Sequence, residues 1–155
     1  MTRYDRSANR SGAVDSIKTR ELILRHAEEI SRLHARIHEN FKNRTKNPEQ
    51  RAKWQDACAE FHKRYDQLAF PGGYRGALSK IRSGEPNAME AGICFLECRP
   101  YFFRSGYMFK DILRACRHAP LSADQVERLK IIEQKLAVWK KNKLEKKRNE
   151  ALFSE

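Results

Sequence analysis

Proline and glycine are scarce in this chain, 5 and 7 among 155 residues, and both are clustered. That scarcity argues against a turn-rich β-sandwich or barrel and favours long helices. Cysteine is limited to Cys58, Cys94, Cys98 and Cys116, too thin a set for a disulfide framework at this length. Reduced thiols and a cytoplasmic setting are the corresponding expectation. The longest apolar run, near residues 91–96, is far too short to cross a bilayer, so no membrane insertion is expected. The opening MTRYDRSANRSG lacks the apolar stretch of a secretory signal. Catalytic signatures are missing too. There is no G-x-S-x-G and no H-E-x-x-H, and the segment from Pro71 to Gly76 lacks the spacing and the Lys-Ser/Thr pair of a phosphate loop. The chain therefore reads as a protein that is not an enzyme, with no cofactor implied.

Charge is what the sequence has in excess. Charged residues make up 34% of the chain and the formal net charge is +12. Residues 99–148 hold fourteen Lys and Arg against five Asp and Glu, so most of the excess lies there. A cationic field concentrated on one stretch attracts polyanions, nucleic acid ahead of anionic lipid. A solubilising basic surface is the plain alternative.

Apolar spacing organises the rest into an all-α fold of antiparallel helix hairpins, open to stacking as helical-repeat-like units. Residues 1–14 read as a flexible basic arm, 15–139 as a single helical domain and 140–155 as a basic helical extension or tail. Ile23, Ala27, Ile30, Ile37 and Phe41 recur at helical spacing over residues 15–42. Asn47, Pro48 and Gln50 mark a second helix start, followed by a stripe of Trp54, Ala57, Cys58, Phe61, Tyr65 and Leu68. A short helix carrying Tyr74, Leu78 and Ile81 is expected to end at a left-handed Gly84. The helix opened by Pro86 is apolar on most of its circumference, which suits a central position. Pro100 and Gly106 bracket the approach to a further helix with Met108, Phe109, Ile112, Leu113 and Cys116 inward. Ser122 to Gln125 forms a capping box for the last helix, whose main stripe is Val126, Leu129, Ile132, Leu136 and Trp139. The motif F-x-x-G-Y occurs at Phe70 and again at Phe103, an offset that suits a two-helix repeat. Too few other positions agree to separate a repeat from chance.

Residues 99–117 carry the most informative chemistry, because they interleave aromatic and basic side chains. Helical geometry puts Arg104, Tyr107, Lys110, Arg114 and Arg117 on one side, opposite Met108 and Ile112. Basic side chains with an aromatic among them form a phosphate-binding and base-stacking pattern, although a solvated amphipathic face has the same spacing. The turn at Ser105 and Gly106 adds a helix N-terminus beside Arg104, and Gly73 with Arg75 offers a poorer copy. Phe102 and Phe103 are assigned to the core, and Tyr101 and Tyr107 to solvent. Lys140, Lys141, Lys143, Lys146, Lys147 and Arg148 extend the basic set as a binding or merely solubilising tail.

Three pairs stand four apart: His34/His38, Cys58/His62 and Cys94/Cys98. Two such pairs on facing helices could hold zinc. Cys58 lies within an apolar stripe, however, where free cysteine behaves as a small hydrophobe, so no metal is assigned. Glu97 is expected to pair with a nearby cation rather than act in catalysis. The resulting expectation is a small basic helical protein that binds a polyanion such as nucleic acid with weak sequence preference. The alternative is a protein-interaction or homo-oligomeric module, using the seven-spaced Ile131 and Val138 as a seam for a protein partner or for self-association.

Overall fold

The computed structural model describes residues 6–154, with side chains described from Asp15 onward. Six helices and no strand occur among the described residues: α1 (Arg6–Phe41), α2 (Pro48–Ala69), α3 (Ala77–Ser83), α4 (Pro86–Cys98), α5 (Ser105–Arg117) and α6 (Ala123–Leu152). The chain divides into two units, Met1–Pro120 and Leu121–Glu155. Residues 1–5 of the expected arm lie outside the described residues, and α1 begins within the rest of it.

In the first unit, α1 and α2 form the antiparallel hairpin that the short polar link between them implies. Asn47 caps α2 by accepting from the Gln50 amide at 2.8 Å, and Pro48 occupies the first turn without wasting an N–H. The expected stripe of α1 buries Ile23, Ala27 and Ile30, with Leu33 beside them, whereas Ile37 is half-buried and Phe41 exposed. Ions staple the outer edge of the hairpin. The Glu29 carboxylate accepts from Arg32 at 2.6 Å and from Arg64 at 2.8 Å, and Arg36 reaches Glu60.

Helix α4 packs against α1, α3 and α5, the central place that its nearly uniform apolarity requires. Every residue from Ala91 to Leu96 is buried. Gly92 allows the close approach of its neighbours. A Cβ there would stand 3.1 Å from Cys116 Sγ and 3.2 Å from Ile81 Cδ1. Phe95 joins an aromatic cluster with Phe70 at 6.1 Å and Phe102 at 6.3 Å between ring centroids. Gly84 ends α3 at φ 87°, as its position indicates, and its amide donates to the Ile81 carbonyl. Tyr74 falls in the loop before α3 rather than on it. The two F-x-x-G-Y segments differ in backbone: Gly72 and Gly73 are both left-handed, whereas Arg104 takes that role in the second and Gly106 lies within α5.

The second unit contains α6. Ser122 accepts from the Gln125 amide, and the Gln125 side chain accepts from the Ser122 amide in return, which completes the capping box. Ile131 and Val138 are exposed, and the Lys143 ammonium lies 5.0 Å from the Trp139 ring centroid. No helix among the described residues is long and apolar enough to cross a membrane.

Candidate nucleic-acid interface

The link between α4 and α5 is short and strained, and that strain sets the direction of its side chains. Arg99 (φ 44°) and Arg104 (φ 68°) both adopt the left-handed conformation that L side chains avoid, and they bound the segment between them. Several bonds hold it there. The Arg99 amide donates to Phe95 O at 2.9 Å, Phe102 N to Ser105 Oγ at 3.1 Å, and Ser105 N to Phe102 O at 2.9 Å. From the side, the Tyr65 hydroxyl donates to Phe103 O at 2.7 Å.

Within this frame alternate side chains point opposite ways. Pro100 and Phe102 are buried, while Tyr101 is 90% exposed and Phe103 43%. The assignment of Phe103 to the core is thereby corrected. Its ring lies outside the core on His34 of α1, and Phe102 alone fills the interior position. Burial pushes the Tyr65 hydroxyl pKa up, partly opposed by the Arg104 guanidinium nearby.

On α5, Met108, Phe109, Ile112, Leu113 and Cys116 face inward. Tyr107, Lys110, Arg114 and Arg117 are exposed on the opposite side, and Arg104 precedes them. The four on the helix share one outward face, and Arg104 stands exposed at the N-cap before them. Asp111, which interrupts the stripe in sequence, lies beside Tyr74 and helps to raise that phenol's pKa, after burial as the larger cause. The helix N-terminus expected at Ser105 and Gly106 forms there, with α5 starting at Ser105 and the left-handed Arg104 as its N-cap.

A groove of about 900 Å³ opens between the 101–104 segment, the start of α5 and one side of α1. Ser31, His34, Ala35, His38 and Glu39 form one wall; Tyr101, Phe103, Arg104, Tyr107 and Lys110 belong to the other. His34 stacks on Phe103 and meets His38 edge-on at 4.6 Å. Burial first, and the neighbouring His38 second, lower the His34 pKa below 6.5. At neutral pH His34 is thus an uncharged aromatic wall, while Arg104 and Lys110 line the groove as cations and Glu39 as a carboxylate. The pairing of His34 and His38 was visible only as a four-residue spacing. Nothing in the sequence connects it to residues more than sixty positions away.

The six basic residues at 140–148 are exposed on α6 in the other unit. By helical geometry Lys140, Lys143 and Lys147 share one side of α6, whereas Lys141 and Arg148 lie on another. The poorer anion site at Gly73 and Arg75 is filled from within. The Arg75 amide donates to Asp66 Oδ1 at 2.9 Å and the Tyr74 amide to Asp66 O at 3.1 Å. Cys94 and Cys98 turn toward α1, their thiols donating to Ser16 O and Arg20 O, each at 3.8 Å. Among the described residues no group of three or more His, Cys, Asp or Glu is placed to hold a metal ion. Glu97 pairs with Arg20 at 3.2 Å. No protein-family model matches this chain, and no curated protein or solved structure shows significant similarity to it.

Proposed function

We propose that this protein binds nucleic acid without catalysis, through the cationic face of α5 and the groove at its N-terminal end. One observation carries the reading. Tyr107, Lys110, Arg114 and Arg117 stand exposed on a single face of α5, whose other face is locked into the core, and Arg104 stands exposed at its N-cap. A rigid array of this kind neutralises phosphates without the entropic cost of ordering long side chains on a mobile segment. The basic stretch of α6 adds long-range attraction. The interactions on offer are with phosphates and with base faces, so sequence preference is weak.

The test is a salt titration of binding to a fluorescent oligonucleotide. Affinity falls steeply as salt rises, and Lys110→Glu with Arg114→Glu weakens it strongly. Absence of binding to single strands and duplexes alike at low ionic strength overturns the reading. A second reading has one specific support: Ile131 and Val138 are 49% and 58% exposed, seven residues apart on α6. An apolar pair of this kind can form a helix–helix seam with a protein partner or a second copy. That association would tolerate salt and fail on Ile131→Glu.

A further inference from the structure

We infer that the groove between α1 and the start of α5 accepts unpaired bases, which makes the protein selective for single-stranded over double-stranded nucleic acid. This rests on the nucleic-acid reading above and narrows it to a ligand class. The argument begins with aromatic exposure. Tyr101 and Tyr107 are 90% and 72% exposed, far more than tyrosine rings need to be for a hydroxyl to reach water. Both line one groove together with Arg104 and Lys110, two cations against the single carboxylate of its lining, Glu39. Open rings interleaved with cations suit a ligand that has both π-faces and negative charge.

The groove floor is already ordered. The Phe103 ring lies on His34 at 4.8 Å with 22° between the planes, its carbonyl accepts from Tyr65, and the Arg104 guanidinium carbon is 5.3 Å from its centroid. A base entering beside Tyr101 or Tyr107 meets the ordered Phe103 and His34 rings, which cost little entropy to engage. The volume, about 900 Å³, falls in the range of about 300–1,000 Å³ usual for small-molecule pockets. A duplex cannot use this arrangement, because its bases are stacked on each other and offer edges, not faces, to a protein. It would engage only Lys110, Arg114 and their neighbours.

The experiment compares three probes by anisotropy at one salt concentration. They are a labelled unstructured single strand, a duplex matched in phosphate number, and vesicles containing anionic lipid. The single strand is expected to bind about tenfold tighter than the duplex. Tyr101→Ala should weaken single-strand binding about tenfold and leave duplex binding unchanged; Tyr107→Ala should weaken single-strand binding about tenfold and duplex binding less; neither should alter the salt slope, since that slope counts phosphates. Tyr101→Trp and Tyr107→Trp should keep the affinity. Urea midpoints of the alanine variants, taken beside wild type, separate impaired stacking from impaired folding. Equal affinity for both oligonucleotides, or alanine variants that fold and bind single strands normally, overturns this inference and leaves the nucleic-acid reading in place. Binding to neither oligonucleotide, or a preference for the vesicles, overturns both.

Discussion

Phe103 lies on His34, with ring centroids 4.8 Å apart and planes inclined by only 22°. Adjacent to it, Phe102 is sealed in the interior against Phe95 and Tyr65. Two neighbouring phenylalanines therefore have different work, and mutation should separate them. Phe102→Ala removes a buried ring and should cost about 3–5 kcal/mol of unfolding free energy. Phe103→Ala removes one ring of a half-exposed aromatic pair and should cost about 1 kcal/mol. Urea denaturation of the two variants beside wild type checks the difference. Equal destabilisation would mean that Phe103 belongs to the core after all.

Arg104→Gly should move stability and binding in opposite directions. At φ 68° the arginine backbone is strained, by about 1 kcal/mol, and glycine adopts that conformation freely. The same change removes the guanidinium at the mouth of the groove. The expected result is a higher melting temperature together with weaker oligonucleotide binding. A variant that becomes less stable would show that Arg104 supports the fold through side-chain packing that outweighs its backbone strain.

The contrast between Gly84 and Arg104 shows how far the sequence could be read. Gly84 follows an apolar pattern and precedes proline, so its left-handed helix end was legible. Asn47 and the Ser122–Gln125 box were legible for the same reason, since capping is settled within a few residues. Arg104 was not, because an arginine in that conformation is imposed by what surrounds it: the Ser105 bonds and the Tyr65 hydroxyl. The outward face of α5 followed from helical spacing alone. The groove did not, because half of it comes from His34 and His38, which only tertiary packing brings to Phe103. Spacing likewise could not decide that Phe103 turns outward, since an aromatic pair at a helix start is usually buried.

Acid should weaken the α1–α2 hairpin through Glu29. Hydrogen bonds from Arg32 and Arg64 hold its carboxyl at about 2, below the ordinary value of 4.5. A carboxylate whose pKa is lower folded than unfolded stabilises the fold above the unfolded value. That contribution disappears as pH falls from 4.5 toward 2. Glu29→Gln should thus destabilise the protein at about pH 6 and have less effect near pH 3. Urea midpoints for both proteins at the two pH values check it. A midpoint difference that stays constant between them would assign the stability of the hairpin edge to packing instead.

The basic residues of α6 are expected to add attraction without adding selectivity. Lys140, Lys143 and Lys147 fall on one side of a helix with exposed side chains and can meet successive phosphates as point charges. Replacing these three by glutamine should reduce the slope of log K against log salt by about 0.7 for each single-strand phosphate that is no longer neutralised. Association should slow, because the long-range field is smaller. The ratio of single-strand to duplex affinity should not change, because no ring that could stack on a base is altered. Replacing Lys110 and Arg114 by glutamine also lowers the slope, but it should weaken duplex binding more, since a duplex has no stacking to fall back on. Anisotropy titrations across salt, run with both probes on both variants, distinguish the two basic segments. An unchanged slope in the triple variant would confine phosphate binding to α5.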